Sequence, residues 1–289
     1  MITVKIIGGL GNQLFQYATA RRLAYVHKTM LKLDTTAFAS YSLHEYVLNH
    51  LRIHAEIISK KELRKVRGFC AFPLVSFIFR KMNLSRCGAL VRERSLRFDP
   101  SVLELSDNVY LDGYWQSEKY FQDIREILLK ELVVADALSG QNEAMAKTIS
   151  ASNAISIHVR RGDYVNNSQT NKIHGVLSLE YYRAAIKFFE DKYDDAHFFI
   201  FSDDPAWVGE HLQLLRPHTF VEHNGAKKNY EDMRLMSMCK HNIIANSSFS
   251  WWGAWLNQNP NKIVVAPKKW FGAPKMHEKN LCPRDWVRI

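Results

Sequence analysis

The chain has 289 residues, 47% of them hydrophobic and 24% charged, which is an ordinary composition for a globular protein of one large or two medium-sized domains. No stretch approaches the roughly 18 uninterrupted apolar residues of a membrane span, so the sequence excludes a membrane-spanning helix. The formal charge of +10 favours anionic partners: phosphorylated small molecules, nucleic acid or an acidic membrane surface.

The four Cys, at positions 70, 87, 239 and 282, are few for a disulfide scaffold, and no pair has metal-ligand spacing. We therefore expect reduced thiols in a cytoplasmic protein. The chain opens directly on a strand-like run at residues 2–7, which is too short for a signal peptide, so we expect the N-terminus to form a core strand.

The first half opens as strand 2–7, a glycine loop, helix 14–27 and strand 30–33. The loop Gly8-Gly9-Leu10-Gly11-Asn12-Gln13 has the wrong glycine spacing for a nicotinamide dinucleotide fingerprint. Its amide N–H groups at a helix N-terminus would instead meet an anion or a sugar hydroxyl.

Two later stretches of this half leave alternatives open. Segment 69–94 joins an apolar run to a basic flank and is either a buried helix with a solvated flank or a surface that touches a membrane. Strand 108–112 leads to Tyr114 and Trp115, which would either stack on a sugar or pack in the core, and then to helix 118–132. The polar residues 133–153 place the predicted domain boundary at residue 150.

The second half alternates strands and helices, which predicts a parallel sheet with helices on both faces. Strand 154–160 ends in His158-Val159-Arg160-Arg161-Gly162-Asp163, with His158 and Arg160 on one face. Such charge at the carboxyl edge of a sheet favours a phosphate or diphosphate ligand. The alternative is a salt bridge between one Arg and Asp163 that closes a loop.

Two more strand ends should share that edge, Ser202-Asp203-Asp204 and Asn246-Ser247-Ser248-Phe249-Ser250. The serine-rich turn would hold phosphates at a helix N-terminus, with Ser248 or Ser250 as the helix cap. Asp203 or Asp204 would either accept hydrogen bonds from guanine or cap the next helix. Together the three strand ends predict a site for a nucleoside diphosphate.

These motifs resemble those of the bacterial α-1,2-fucosyltransferases of glycosyltransferase family 11. The resemblance rests on the glycine loop with Asn12-Gln13, on the motif from His158 to Tyr164, and on residues 201–204 and 246–253, and residues 111–117 also fit. It implies an α/β fold of GT-B type, with two Rossmann-like domains, 1–150 and 151–289, whose parallel sheets face across a cleft. A last helix would pack back on the first domain.

The resemblance also implies an inverting transfer of L-fucose from GDP-β-L-fucose to the 2-hydroxyl of a terminal β-galactoside, in O-antigen or other surface-glycan synthesis. No cofactor and no metal are expected, because GDP-fucose is the donor substrate and the sequence has no D-x-D motif. We expect a bacterial cytoplasmic enzyme without a nucleic-acid partner, with contact to the inner membrane face through residues 69–94 as the open alternative.

In this interpretation Arg160, His158 and Asp163 are catalytic. Arg160 neutralises the departing diphosphate, His158 supports the phosphates or the acceptor, and Asp163 either acts as general base or holds an Arg in place. The acceptor side would use Asp112, Tyr114 and Trp115. The donor-binding residues would be Gly11, Asn12, Gln13, Arg160, Arg161, Ser202, Asp203, Asp204, Asn246, Ser247, Ser248 and Phe249.

Two rival functions remain. A fucosyltransferase of another linkage, such as α-1,6, shares an Arg-Arg motif, whereas the run Arg-Gly-Asp-Tyr and Trp251-Trp252 favour α-1,2. A basic nucleic-acid-binding protein would gather its Lys and Arg on one face, but here they are spread along the chain.

Overall fold

The computed structural model describes residues 1–41, 43–71, 75, 81–82, 86–162, 175–273 and 278–289. The chain divides into two compact units, the first comprising Met1–Val133 with Lys279–Leu281 and the second Val134–Glu278 with Cys282–Ile289. Within the described ranges, no helix has both the length and the apolar character needed to cross a membrane.

The first unit is built on a sheet whose described strands run in the order β3-β2-β1-β6-β5-β4. All neighbouring strands are parallel except β4 and β5, which form an antiparallel hairpin at the edge. The strands are β1 (Ile2–Lys5), β2 (Leu31–Asp34), β3 (Glu56–Ile57), β4 (Arg86–Cys87), β5 (Leu90–Arg92) and β6 (Val109–Asp112). The α-helices whose bounds the structure describes in this unit are α1 (Leu10–Val26), α2 (Lys60–Arg67) and α3 (Arg125–Glu131).

The second unit has a fully parallel sheet in the order β9-β8-β7-β10-β11-β12 among its described strands. Counted from β7, this is 3-2-1-4-5-6, the strand order of the doubly wound Rossmann fold. The strands are β7 (Asn153–Val159), β8 (Ala196–Ser202), β9 (His218–Phe220), β10 (His241–Ile243), β11 (Val264–Ala266) and β12 (Val287–Arg288). Its described α-helices are α4 (Gly140–Ser150), α5 (Leu179–Glu190), α6 (Pro205–His211), α7 (Asn229–Met238) and α8 (Ser248–Leu256). The predicted α/β class with parallel sheets is confirmed.

Helix α4 belongs to the second unit, so the chain divides between Val133 and Val134 and not at the predicted residue 150. Hydrogen bonds explain this, because Asn142 on α4 donates to Asn224 Oδ1 at 2.8 Å and accepts from Asn224 Nδ2 at 2.9 Å. The predicted last helix has no counterpart among the described residues after Leu256. Instead, the Ser117 hydroxyl donates to the Asn280 carbonyl at 2.8 Å within the first unit.

Cys70 and Cys87 form a disulfide, which corrects the expectation that all four thiols are reduced. The edge hairpin brings them together, since Cys87 lies on β4 and Cys70 follows α2; both are buried. Cys239 and Cys282 are not part of a disulfide. Much of the apolar run of segment 69–94, including residues 72–74 and 76–80, lies outside the described residues, so its membrane contact stays an open alternative.

Strand β7 is buried on both faces, as expected for a central parallel strand. Ile155, Ile157 and Val159 pack in one cluster with side chains of α5. A polar network of β7 and β10 includes Asn242, 1% exposed, which donates to the Ser156 hydroxyl at 2.7 Å and to the Met236 carbonyl at 2.9 Å. The side-chain oxygen Oδ1 of Asn242 accepts a hydrogen bond from Asn257 Nδ2 at 2.8 Å, so both ends of this buried amide have hydrogen-bond partners.

We predict that Asn242→Ala lowers the free energy of unfolding by about 2–3 kcal/mol. The substitution leaves the buried partners of the amide without their hydrogen bonds and creates a small cavity. Urea unfolding followed by circular dichroism measures the loss. The matched control is Asn261→Ala at an exposed position, where we expect a change under about 0.5 kcal/mol. Equal stabilities of the two variants would contradict a role for this network.

Candidate active site

The strand order of the second unit reverses between β7 and β10, because β8 continues the sheet on one side of this pair and β11 on the other. At such a reversal the two connections leave in opposite directions and open a crevice beyond the carboxyl ends of the strands. Residues 160–162 follow β7, and residues 244–247 connect β10 to α8. The His158 ring lies 5.3 Å from the Phe249 ring, so the end of β7 adjoins the first turn of α8.

The Asp203 carboxylate holds the chain that leaves β7. Its Oδ1 accepts the Arg161 backbone N–H at 2.8 Å and its Oδ2 accepts the Gly162 N–H at 3.1 Å. The Arg160 guanidinium pairs with the same Oδ2 at 3.0 Å. A Cβ at position 162 would lie 2.6 Å from Oδ2, so only glycine allows the carboxylate this close. Asp203 therefore fixes both the turn and the Arg160 side chain.

Arg161 lies against helix α6. Its Nε donates to Asp204 Oδ2 at 3.2 Å, and its guanidinium lies over the Trp207 ring, 3.5 Å from the centroid. Asp204 Oδ1 accepts the Trp207 N–H at 3.3 Å, so the helix-cap interpretation holds for Asp204. The Ser202 hydroxyl accepts the Asp204 N–H at 3.0 Å. These contacts attach Arg161 to the start of α6, and its predicted role toward a donor stays a prediction.

His158 is a neutral group beside Arg160. It is 4% exposed, and burial lowers its pKa to about 4, with Asp203 raising it and Arg160 lowering it. At neutral pH it therefore adds hydrogen-bonding capacity but no positive charge. Its Nδ1 is buried without a hydrogen-bond partner among the described residues. Asp163 lies outside the described residues, so its role as base or as a partner of an Arg stays a prediction.

Helix α8 begins in the serine-rich turn. Ser247 is its cap, since its hydroxyl accepts the Phe249 N–H at 3.3 Å, and the predicted caps Ser248 and Ser250 are wrong. Ser250 points back and donates to the Ala245 and Ser247 carbonyls, both at 3.3 Å. Asn246 Nδ2 donates to the Gly175 and Trp270 carbonyls, both at 3.1 Å, and so joins two loops. The first turn of α8 has no acidic residue, which leaves its N–H groups suited to an anion.

The first unit has its own reversal, between β1 and β6. The glycine loop after β1 and the loop after β6 meet there, since Gln116 Nε2 donates to Asn12 Oδ1 at 2.7 Å. Gly11 is buried in the first turn of α1. Gln13 is 0% exposed: it donates to the Gly8 and Glu45 carbonyls, both at 2.8 Å, and accepts the Val47 N–H at 3.1 Å. Both ends of its amide are engaged within the unit, and its predicted role toward the donor stays a prediction.

The loop after β6 is held by Glu93, a residue that the sequence patterns did not single out. Glu93 accepts the N–H groups of Tyr114 at 2.6 Å and Trp115 at 3.0 Å. A Cβ at Gly113 would lie 2.4 Å from the Glu93 Cβ, so this position also requires glycine. Burial raises the Glu93 pKa to about 7; the two N–H groups lower it and Asp112 raises it. The only sequence feature that could have pointed to Glu93 is that it is the single acidic residue within the basic run of residues 86–97.

The three predicted acceptor-side residues differ in availability. Tyr114 is 40% exposed, whereas Trp115 is 2% exposed and packs edge-to-face on Tyr120 with the ring centroids 5.8 Å apart. Asp112 is engaged in ion pairs with Lys5 at 3.2 Å and Arg92 at 3.4 Å. No group of three His, Cys, Asp or Glu side chains that could hold a metal ion occurs in the described part of the chain.

Comparison with known proteins decides the family. The model of glycosyl transferase family 11 matches residues 1–289. The chain belongs to glycosyltransferase family 11. It is 35% identical over 300 residues to an alpha-1,2-colitosyltransferase of Escherichia coli, covering 100% of this chain and 99% of the relative. It is 33% identical over 303 residues to the O-antigen biosynthesis glycosyltransferase WbnK of Escherichia coli, covering 98% of each.

More distant likenesses agree with this assignment. The chain is 25% identical over 263 residues to galactoside alpha-(1,2)-fucosyltransferase 2 of Rattus norvegicus, covering 89% of this chain and 67% of the relative. The structure of an Arabidopsis thaliana FUT1 variant in complex with GDP superposes with a TM-score of 0.52 at 9% identity, over 93% of this chain and 71% of that one. At this identity the superposition shows the fold alone, which is the two-sheet α/β fold of GT-B type.

For this family 11 glycosyltransferase, Glu93 predicts a dependence of stability on pH. The folded chain keeps the Glu93 proton up to about pH 7, whereas an ordinary Glu loses it near 4.5. The stabilisation from this carboxyl is therefore complete below pH 4.5 and is lost as the pH rises through 7. Relative to Glu93→Gln, we expect the wild type to lose roughly 2 kcal/mol of unfolding free energy between about pH 5 and pH 8.

Urea unfolding at each pH gives this difference directly. Glu104→Gln is the matched control, because Glu104 is exposed and lies in the same unit, and we expect its difference from the wild type to stay constant. A difference for Glu93→Gln that does not change with pH would show that Glu93 is ionised throughout this range.

Proposed function

We propose that this protein transfers L-fucose from GDP-β-L-fucose to the 2-hydroxyl of a terminal β-galactoside, with inversion and without a metal. The product would be a Fuc-α1,2-Gal unit of an O-antigen or another surface glycan, made at the cytoplasmic face. The observation that carries the proposal is the crevice between β7 and β10, which presents a fixed guanidinium and the N-terminus of α8. Two relatives whose printed names specify an α-1,2 linkage support the choice of linkage.

The charge of the donor decides where it would bind. When the bond between fucose C1 and the β-phosphate oxygen breaks, negative charge builds on the departing diphosphate. The positively charged Arg160 guanidinium is fixed by Asp203, so it would stabilise that charge without rearranging. The N–H groups at the start of α8 would share the phosphates. His158, being neutral, would donate or accept a hydrogen bond beside them.

The acceptor must also lose the proton of its 2-hydroxyl as the new bond forms. A carboxylate near the reacting carbon would take it, and Asp163 is the candidate from the sequence motif. The competing role for Asp163 is to hold Arg160 or Arg161 in place. Asp163→Asn separates the two: a base gives a large loss of activity that depends on pH, and a structural partner gives a modest loss that does not.

Colitose is the second candidate for the transferred sugar, because a relative 35% identical over the whole chain is a colitosyltransferase. Colitose is fucose without the 3-hydroxyl, so both donors could present the same GDP group to the crevice. The preference between the two donors would depend on whether the site forms a hydrogen bond with that hydroxyl. If it does, a buried polar group loses its partner when the deoxy sugar binds, and the site discriminates strongly against colitose.

The deciding assay offers GDP-fucose or GDP-colitose, with and without EDTA, against a panel of β-galactosides. We expect fucose on the galactose 2-hydroxyl, an α linkage by NMR of the product, and no effect of EDTA. Transfer from GDP-colitose alone would favour the second candidate, and an α-1,6 product would favour the rival linkage. If no β-galactoside receives a sugar from either donor, the proposed activity is wrong.

We predict that Arg160→Ala lowers kcat/KM by at least about 100-fold, because the diphosphate loses its fixed positive charge. The variant should unfold at nearly the wild-type temperature, since Arg160 is partly exposed. Arg216→Ala is the control: it removes a partly exposed Arg that pairs with Asp194, and it should leave the rate unchanged. Wild-type activity of Arg160→Ala would contradict the assignment of the site.

A further inference from the structure

Nearly all of the excess positive charge of the chain lies in one short part of the sequence. Residues 60–97 contain 11 Lys and Arg but only 2 acidic residues, an excess of nine, whereas the whole chain has a formal charge of +10. The rest of the chain is therefore close to neutral, although Lys and Arg occur throughout it. Such a concentration of charge favours an anionic partner at the surface that carries it.

Helix α2 presents four of these charges on one side. Leu63 is buried in a core cluster of the first unit, and Val66 packs against the same cluster. At 3.6 residues per turn, the residues on the opposite side of the helix occupy one arc of about 140° along roughly 12 Å of its length. They form the α2 face and are all exposed: Lys60, Lys61, Arg64 and Lys65. The apolar side of α2 therefore holds the helix in the unit, and the α2 face meets solvent.

The acidic residues beside the α2 face do not neutralise it. Glu56 and Glu62 both pair with the Lys32 ammonium, at 2.7 and 3.3 Å. Glu62 also accepts the Ser59 N–H at 2.9 Å, in the capping box that begins the helix. In the part of the chain that the structure describes, no cation of the α2 face forms an ion pair with a carboxylate. Four positive charges therefore face solvent without acidic partners there.

The chemistry of the α2 face suits an anionic membrane surface better than a nucleic acid. Three of the four cations are Lys, a compact point charge, and no aromatic side chain that could stack on a base occurs in α2. Ile57, two residues before the helix cap Ser59, is 52% exposed. An exposed apolar side chain beside Lys is typical of segments that lie on a membrane surface. Clusters of roughly four to eight Lys and Arg on an amphipathic helix are typical of binding to anionic lipid head groups.

We propose that the α2 face docks the first unit on a phospholipid surface that carries anionic head groups. The binding is electrostatic, because the apolar side of α2 stays in the core while its Lys and Arg side chains meet the lipid phosphates. The inference is separate from the open alternative for residues 69–94, and it does not depend on the proposed sugar transfer.

The test measures co-sedimentation of the full chain with two kinds of vesicle. One kind is phosphatidylcholine alone, and the other contains about one third phosphatidylglycerol as the anionic lipid. We expect binding to the anionic vesicles only. We also expect the binding to weaken strongly between about 0.1 M and 1 M salt, because the Debye length falls from about 10 Å to about 3 Å.

A quadruple variant assigns the binding to the α2 face. Each Lys or Arg near an anionic surface strengthens binding roughly fivefold. We therefore expect the partition coefficient for anionic vesicles to fall at least about 100-fold when four substitutions are combined. These are Lys60→Ala, Lys61→Ala, Arg64→Ala and Lys65→Ala, which keep the helix propensity of α2.

The matched control removes the same amount of charge from exposed lysines of the second unit. It combines Lys227→Ala, Lys228→Ala, Lys268→Ala and Lys269→Ala, and we expect the partition coefficient to fall less than about fivefold. Thermal unfolding checks that each variant is folded. If the quadruple variant of α2 does not fold, two pair variants replace it, each with an expected loss of at least about tenfold. They are Lys60→Ala with Lys61→Ala, and Arg64→Ala with Lys65→Ala.

Three results would overturn the proposal. The first is equal binding to the two kinds of vesicle, or no binding to either. The second is an α2 variant that binds anionic vesicles like the wild type. The third is a control that loses as much binding as the α2 variant, because the vesicles would then respond to net charge and not to this helix. A labelled DNA duplex tests the other anion: if the α2 variant loses the duplex and keeps the vesicles, the α2 face binds nucleic acid and the proposal is wrong.

Discussion

The Asp203 carboxylate is the contact on which the candidate active site depends. It reaches from the end of β8 to the end of β7, where it accepts two consecutive backbone N–H groups and pairs with Arg160. Without this carboxylate, the turn after β7 would lose the acceptor of its two N–H groups, and the Arg160 guanidinium would no longer be held in position. This contact requires three residues of the sequence: an acid at the end of β8, an Arg after β7, and a glycine at position 162 that leaves room for the carboxylate.

The first unit contains the same kind of contact, a carboxylate that accepts two consecutive backbone N–H groups of a neighbouring loop. Glu93, which follows β5, accepts the consecutive N–H groups of Tyr114 and Trp115 after the neighbouring strand β6. Here too a glycine, Gly113, stands where a Cβ would collide with the carboxyl-bearing side chain. In each unit the fixed loop borders the reversal of strand order, where α/β folds bind ligands. The fold thus provides two prepared loops, one built around a cation and one around aromatic rings.

Sequence reasoning succeeded where the signal was periodic or local. The alternation of Ile155, Ile157 and Val159 identified the central strand, and one of the two interpretations of Asp203 and Asp204 was a cap of the next helix, which Asp204 is. It failed where the outcome depended on contacts between distant segments. The Cys70–Cys87 disulfide, the burial of Gln13 and the docking of α4 on the second unit are all set by tertiary packing. Glu93 was missed because nothing in its neighbourhood shows that two distant N–H groups converge on it.

The central claim is that the crevice between β7 and β10 holds the donor diphosphate. A crystal structure of the protein with GDP tests it most directly. The account predicts the β-phosphate within hydrogen-bonding distance of the Arg160 guanidinium and of backbone N–H groups in the first turn of α8, with the Arg160–Asp203 pair retained. A β-phosphate bound elsewhere, for example at the glycine loop that begins α1, with Arg160 making no contact to it, would contradict the account.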